Sequence, residues 1–261
     1  MIGLGLGDEK DITLRGLEAI KKSKKVFIEN YTSISNAVKG LQELSGKEFE
    51  EAPRSMVEND ADKILNEALN DDVSFLVIGD VFGATTHTDL YLRAKQKGVV
   101  VKIINNASIM NVVGNTGLEL YRFGQTTSIV FDDNNWLPDT PYNVIQKNLE
   151  RGLHTLCLLD IKTAEPSIEN MKKGIMKPEP PRFMTIHDGL RILERLEEKN
   201  KKKIITQETK IVGVARIGTD SQKIKYGTIK EIKKEDFGEP LHSIIIPGKL
   251  HDVEKEMLQN L

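Results

Sequence analysis

The chain has 261 residues, with 37 basic and 39 acidic side chains and a formal net charge of −2. A dedicated nucleic-acid binder normally carries a basic excess, because phosphate contacts dominate its affinity, so we expect no nucleic-acid partner. The hydrophobic content of 39% excludes a disordered tail protein. Cys157 is the only cysteine, which excludes an internal disulfide and a cysteine metal cluster.

Neither a membrane span nor a signal peptide is apparent in the sequence. No apolar stretch approaches the roughly 20 residues that cross a bilayer, and the start lacks the basic flank of a signal peptide. We therefore expect a soluble, cytoplasmic protein without a membrane partner. A single core stops growing at roughly 250–300 residues, so the length allows one large domain or two small ones.

The N-terminal half alternates short apolar runs with helical patterns. Thr13 can cap a first helix, and further helices are predicted over Asp60–Leu69 and Thr88–Lys97, the last ended by Gly98. Strands are predicted at Lys25–Ile28, Val73–Ile78 and Val99–Ile104. Apolar strands alternating with helices are typical of a parallel sheet covered by helices. Such sheets bind ligands at the carboxyl ends of their strands.

The pattern changes near Gly124. Helices are predicted over Tyr142–Arg151 and Ile186–Lys199, and a short amphipathic helix at the C-terminus. The proline-bearing segment Lys162–Pro181 predicts a long loop. Strands are predicted at Ser128–Phe131, Leu156–Ile161, Ile211–Ile217, Lys223–Ile229 and Ser243–Ile246. We therefore predict two α/β domains, residues 1–123 and residues 124–261.

The glycine-rich segment Gly3-Leu4-Gly5-Leu6-Gly7-Asp8 is the first candidate site. Glycines after a strand let the backbone approach a ligand, as in dinucleotide-binding sites. The dinucleotide fingerprint needs a glycine at its sixth position, where this chain has Asp8. A nicotinamide-dependent oxidoreductase is therefore a weakened alternative, and a tight structural turn is the other.

Two more loops follow buried runs. The segment from Gly79 to His87 mixes small, hydroxylated and ionisable residues at a strand's carboxyl end, which favours function over a simple turn. Within it, Asp80 can accept hydrogen bonds from a ligand, and Gly83 can let the chain pass close to one. In the third loop, Asn105–Asn111, Ser108 can cap the next helix, whose amides can also bind ligand oxygens.

Metal and nucleophile sites are not indicated. The five histidines do not pair at metal-ligand spacing, so we predict no metal. His242 is, by itself, more often a satisfied structural histidine, and Cys157 is most simply an inert core thiol. The sequence contains no glycine-flanked nucleophilic serine and no Walker phosphate loop.

Taken together and in order, these segments resemble the diphthine synthase family over essentially the whole chain. The resemblance is carried by residues 2–8 with Asp11-Ile12-Thr13, and by the second and third loops. Three later segments add to it: His154–Lys162, Val214–Gly218 and Gly238–Ser243. The amino-acid sequences of these later segments are similar to those of the eukaryotic branch. One departure is Val81, where the family usually has proline.

This resemblance implies a fold of the tetrapyrrole-methylase type. It implies a mostly parallel N-terminal sheet and a mixed C-terminal sheet, with S-adenosylmethionine in the cleft between the two domains. It also implies a homodimer that methylates elongation factor 2 on a histidine carrying a 3-amino-3-carboxypropyl group. In the eukaryotic branch the amine is methylated three times and the carboxylate once, giving diphthine methyl ester; the archaeal branch stops at the trimethylated amine.

Family cofactor positions are carried onto this chain where the motifs match. The resemblance implies eight cofactor-binding residues: Leu6, Asp80, Gly83, Ser108, Ile109, Leu159, Ile217 and His242. A sulfonium methyl group is already activated, so the protein must supply alignment and a dry cleft, and we assign no catalytic base. Open alternatives are amine-only trimethylation, a sister methylase acting on a porphyrinoid or ribosomal RNA, and a non-catalytic binding module.

Overall fold

The computed structural model describes residues 1–29, 31, 37–133, 136–163 and 180–261. The chain divides into two compact units. The first unit comprises Met1–Val112 with Gly218–Asp220, and the second comprises Val113–Ile217 with Ser221–Leu261. The predicted domain boundary after residue 123 stays a prediction. Most of the predicted loop Lys162–Pro181 lies outside the described residues.

A parallel sheet of four strands organises the first unit. In spatial order the strands are β1, β4, β2 and β3, and each pairs in parallel with its neighbour. Their bounds are Ile2–Gly3 (β1), Lys25–Glu29 (β2), Glu50–Ala52 (β3) and Val73–Val77 (β4). The two central strands, β2 and β4, are almost fully buried, as expected of a parallel sheet covered by helices.

The helices of the first unit follow the predicted pattern where local signals are strong. The side chain of Thr13 accepts a hydrogen bond from the Gly16 N–H and caps the first helix, as predicted. Gly98 has a φ of +82° just after the helix Thr88–Gln96. The α-helices are Leu14–Lys22, Ala37–Ser45, Arg54–Glu58, Asp62–Asn70, Thr88–Gln96 and Ile109–Val112.

The strand predicted at Val99–Ile104 is wrong. Only Ile104 pairs with the sheet, through a single parallel bridge to Ile2. The Gly3 N–H donates to the Ile104 carbonyl at 2.9 Å, and the Ile104 N–H donates to the Met1 carbonyl at 3.0 Å. The segment lies at the sheet edge, and Val100 is 83% exposed, so this apolar run is not buried on both faces as a central strand would be.

The second unit is built on a mixed sheet of five strands in the order β10, β9, β11, β6 and β5. All neighbours are antiparallel except β6 and β5, which are parallel. The strands are Thr127–Ile129 (β5), Thr155–Leu159 (β6), Lys210–Ala215 (β9), Lys223–Thr228 (β10) and His242–Ile246 (β11). A separate two-stranded sheet pairs Ile161–Lys162 (β7) antiparallel with Arg182–Phe183 (β8). The predicted α/β class, with one parallel and one mixed sheet, is confirmed.

Helices cover the mixed sheet and complete its core. The longest helix of the described residues begins with a capping box, in which Thr185 and Asp188 bond each other's backbone N–H groups. The α-helices are Thr140–Glu150, Ile186–Asn200, Ile229–Ile232 and Asp252–Gln259. Cys157 is fully buried in this core, as predicted for an inert thiol. No helix in the described part of the chain is long and apolar enough to cross a membrane.

Candidate functional site

Three loops meet at the carboxyl ends of the strands of the parallel sheet. The first loop (residues 4–13) follows β1, the second loop (residues 79–87) follows β4, and the third loop (residues 105–111) follows Ile104. Because β1 pairs in parallel with β4 and Ile2 bridges Ile104 in parallel, the three loops leave the sheet side by side. These carboxyl ends are where open α/β sheets bind ligands.

The first loop wraps around the carboxylate of Asp11. Its Oδ2 accepts the Leu6 N–H at 3.1 Å and the Gly7 N–H at 2.7 Å. Gly5 has a φ of +83°, and a Cβ there would lie 2.5 Å from the Asp11 Cβ. A glycine at position 5 is therefore required by close contact within the chain, and this finding supports the structural-turn interpretation of the motif.

Backbone and side-chain hydrogen bonds join the first loop to the other two. Gly5 and Gly79 exchange N–H···O bonds of 3.1 and 2.8 Å. The amide of Asn106 donates to the Gly3 carbonyl at 3.0 Å and to the Asp11 carbonyl at 2.9 Å. The Leu6 side chain lies against Gly79, 3.8 Å from the position that a Cβ would take.

Asp80 joins the second loop to the third. Its Oδ1 accepts the Phe82 N–H at 3.1 Å, and its Oδ2 accepts both the Asn105 side chain and the Asn106 N–H at 3.0 Å. Burial alone would raise the pKa of Asp80, but these hydrogen bonds outweigh it and the pKa lies below its usual value. Asp80 is therefore an ionised carboxylate at neutral pH.

Gly83 and Ser108 are in close contact. A Cβ on Gly83 would lie 2.5 Å from the Ser108 Oγ and 2.8 Å from the Ser108 Cβ. Ser108 also starts the short helix Ile109–Val112: its Oγ accepts the Met110 N–H at 3.2 Å, and its N–H donates to Asn111 Oδ1 at 2.7 Å. The predicted cap is confirmed.

His242 has both ring nitrogens engaged within the second unit. Nδ1 accepts the Ile186 N–H at 3.3 Å, and Nε2 lies 3.0 Å from the Glu239 carbonyl, to which it can only donate. Burial lowers the pKa of His242, so the ring is neutral with its proton on Nε2. The side chain is a satisfied structural histidine.

The three predicted residues of the second unit lie at one end of neighbouring strands. β11 lies between β6 and β9. Ser243 pairs with Leu158 and His242 pairs with Ala215, so the start of β11 lies between the ends of β6, at Leu159, and of β9. Ile217 follows two residues after β9 and is 7% exposed.

Arg216 is a supporting residue that the sequence reasoning missed. Its guanidinium donates to the Ser221 and Phe237 carbonyls, at 3.0 Å from Nη2 and 2.8 Å from Nη1, and also to the Glu239 carbonyl. It therefore ties the turn after β9 to the segment that leads into His242. Arginine in the Val214–Gly218 motif was the available signal, but its partners are distant in sequence.

The predicted residues thus fall into two groups, one in each unit. Leu6, Asp80, Gly83, Ser108 and Ile109 belong to the cross-linked loops of the first unit. Asp11 and Asn106 organise these loops by hydrogen bonds, although the sequence predicts no separate role for either. In the described part of the chain, no three His, Cys, Asp or Glu side chains are arranged to hold a metal ion.

Comparison with known proteins identifies the family. Residues 1–233 match the Tetrapyrrole (Corrin/Porphyrin) Methylases. The chain belongs to the tetrapyrrole methylase family. Its predicted fold type and its predicted class of reaction, methyl transfer, are thereby confirmed.

Relatives within the methylase family narrow the assignment. Diphthine methyl ester synthase of Dictyostelium discoideum is 50% identical, over 99% of this chain and 96% of that protein. Diphthine methyl ester synthase of Homo sapiens is 48% identical, over 99% and 93%. A crystal structure from Entamoeba histolytica, assigned as a diphthine synthase, is 43% identical with a TM-score of 0.88, covering 99% and 96% of the two chains. The predicted resemblance and the predicted role in diphthamide biosynthesis are confirmed.

Proposed function

We propose that this tetrapyrrole methylase uses S-adenosylmethionine to methylate the 3-amino-3-carboxypropyl-histidine of elongation factor 2, giving diphthine methyl ester. The observation that carries the proposal is the cross-linked set of loops at the carboxyl edge of the parallel sheet, in a chain whose relatives are diphthine methyl ester synthases.

The residues of the first unit fit a small cationic donor. Asp80 is ionised and partly buried, so it suits a ligand that carries an ammonium and a sulfonium. Gly79 and Gly83 have no side chain to obstruct a ligand's approach to the backbone. We propose that the donor is bound by Leu6, Asp80, Gly83, Ser108, Ile109, Leu159 and Ile217, and by backbone near His242.

Methyl transfer from this donor requires little from the protein beyond binding and alignment of the two reactants. When bound, the donor supplies an electrophilic methyl group whose leaving group is a neutral thioether. The protein's own residues align the substrate and exclude water. The substrate carboxylate is a nucleophile at neutral pH, whereas the substrate amine must lose a proton before each attack. Solvent can take this proton, and we assign no general base.

The partner, the assembly and the location are part of the same proposal. We propose elongation factor 2 as the protein substrate, a homodimer as the assembly and the cytoplasm as the location. The relatives' name supports ester formation on the carboxylate, while threefold methylation of the amine is supported by the family resemblance alone.

A labelling experiment tests this function. The protein is incubated with radiolabelled S-adenosylmethionine and with elongation factor 2 carrying the aminocarboxypropyl histidine. We expect label in the factor, with a fraction released by mild alkali as an ester would be. Stable label without an alkali-labile fraction would indicate amine-only methylation. Donor binding without transfer would indicate a binding module, and transfer only to a porphyrinoid would indicate a sister methylase.

The role of Asp80 is tested separately by Asp80→Ala. We expect weaker donor binding, measured at equilibrium and apart from turnover, because the variant loses a negative charge and the bonds that hold the third loop. Asp60→Ala is the control, since Asp60 is an exposed carboxylate of the same unit. Undiminished donor affinity in Asp80→Ala would remove Asp80 from the site.

A further inference from the structure

Three buried polar residues lie at the carboxyl end of β2, outside the proposed donor site. Glu29 and His87 are completely buried, and Tyr31 is 3% exposed. Such residues cost free energy to bury unless they are hydrogen-bonded. Their partners therefore indicate what they do for the fold.

Their hydrogen bonds reach both ends of the second loop. Glu29 Oε1 accepts the N–H of Ile78, the residue immediately before the loop, at 3.2 Å. Glu29 Oε2 accepts the Tyr31 N–H at 3.2 Å, and the Tyr31 hydroxyl lies 3.2 Å from Nε2 of His87, the last residue of the loop. Glu29, the last residue of β2, and Tyr31 therefore bond to the beginning and the end of the loop that carries Asp80 and Gly83.

His87 is retained at a cost. Its Nδ1 is buried without a hydrogen bond of good geometry among the described residues, although the Val81 carbonyl is close enough to raise its pKa. The ring packs edge-on against Phe75 with centroids 5.3 Å apart. An apolar side chain would fill such a pocket without a poorly paired nitrogen. The hydrogen bond between Nε2 and the Tyr31 hydroxyl is what an apolar side chain would lack.

Both groups of this bond are neutral at neutral pH. Burial raises the pKa of Tyr31, and the charges of Glu29 and Glu58 raise it further, so the phenol keeps its proton. Burial lowers the pKa of His87, against the opposing influence of Glu29, the Val81 carbonyl and Glu58. The strength of a hydrogen bond between two neutral groups depends on its geometry, and it falls off when the donor and acceptor atoms move apart.

We propose that Tyr31 and His87 are positioning residues, whose hydrogen bond sets the separation of the two ends of the second loop and thereby the placement of Asp80 and Gly83. The inference rests on the proposed function, because it assigns the loop to donor binding. Neither residue is assigned a contact with donor or substrate.

Tyr31→Phe is the test, because it removes one hydroxyl and keeps the ring. A hydrogen bond contributes about 0.5–1.5 kcal/mol, so we expect the Kd and KM for S-adenosylmethionine to rise roughly two- to tenfold. The kcat at saturating donor should stay near that of the parent chain. His87→Gln keeps a polar group near the position of Nε2 and should retain more donor affinity than His87→Leu.

Tyr142→Phe is the matched control. Tyr142 is also completely buried, and its hydroxyl donates to Glu197 Oε2 at 2.8 Å, but it belongs to the second unit and not to the loops. We expect this variant to lose thermal stability with unchanged donor affinity. If Tyr31→Phe behaves in the same way, its role is structural and the inference is wrong. If the parent chain itself binds no S-adenosylmethionine, the proposed function is wrong, whatever the Tyr31→Phe variant does.

Discussion

The contact between Gly83 and Ser108 gives the sharpest prediction about the loops. Gly83→Ala would put a Cβ 2.5 Å from the Ser108 Oγ and 2.8 Å from its Cβ. Carbon and oxygen atoms in ordinary contact are about 3.4 Å or more apart, so Ser108 would have to recede by about 1 Å. It cannot rotate away freely, because its Oγ and N–H both bond the helix that it starts.

The expected magnitude follows from overpacking. Inserting a methyl group into a well-packed contact costs about 1–3 kcal/mol, and for a chain of this size each kcal/mol lowers Tm by about 2–4 °C. The same displacement separates the second loop from the third. We therefore also expect weaker binding of S-adenosylmethionine, by roughly tenfold for each 1.4 kcal/mol that falls on the bound state.

Thermal unfolding and equilibrium donor binding of four variants test this reasoning. Ser108→Gly removes both clashing atoms, so the double variant Gly83→Ala/Ser108→Gly should lose less than the two single variants together. Gly114→Ala is the control, since a Cβ there meets its nearest atom, on Leu120, at 3.5 Å. If Gly83→Ala proves as mild as Gly114→Ala, or the double variant is merely additive, the close contact does not govern the loops.

Three further predictions concern single residues. Glu254→Ala should lower the free energy of unfolding by about 3–5 kcal/mol, because His154 and Arg122 lose the buried carboxylate that they contact at 2.9 and 3.3 Å. A change below about 1 kcal/mol in denaturant titrations would contradict this. Burial would raise the pKa of Glu254, but hydrogen bonds to it lower the pKa below the usual value. The ionised carboxylate therefore stabilises the fold above the usual pKa, and this stabilisation should be lost as the pH falls through the lower, folded-state pKa. Acid titrations of the parent chain and of Glu254→Gln can measure this loss. Burial raises the pKa of Cys157 to about 12, so native protein should resist iodoacetamide until denatured, and rapid native labelling would refute the buried-thiol assignment.

The elements predicted well are those with local signals. The helix Ile186–Asn200 has an apolar stripe and a capping box at Thr185, all visible within a few residues of sequence. The error at Val99–Ile104 has the opposite origin: an apolar run predicts a strand, but strand pairing depends on distant partners and on the edge of the sheet. The helix Ala37–Ser45 was not predicted, although it carries the buried Leu41.

The candidate site divides in the same way. The three loops of the first unit were predicted from short motifs, and their side-by-side arrangement follows from the parallel sheet. The contacts of Asp11, Asn106 and Arg216 were not predicted, since each side chain serves backbone groups that the motif does not contain. For His242 the sequence left a structural and a ligand role open, and the two ring hydrogen bonds support the structural one for the side chain.

The cross-links of the first unit bear on the entropy of ligand binding. Asp11, Asp80 and Asn106 hold the three loops by hydrogen bonds that need no ligand. A donor that enters such preorganised loops does not have to order them, so its affinity is not reduced by that conformational cost. The amides of Leu6, Gly7 and Asn106 should therefore already exchange slowly with solvent deuterium in the ligand-free protein, and adding donor should change their protection little.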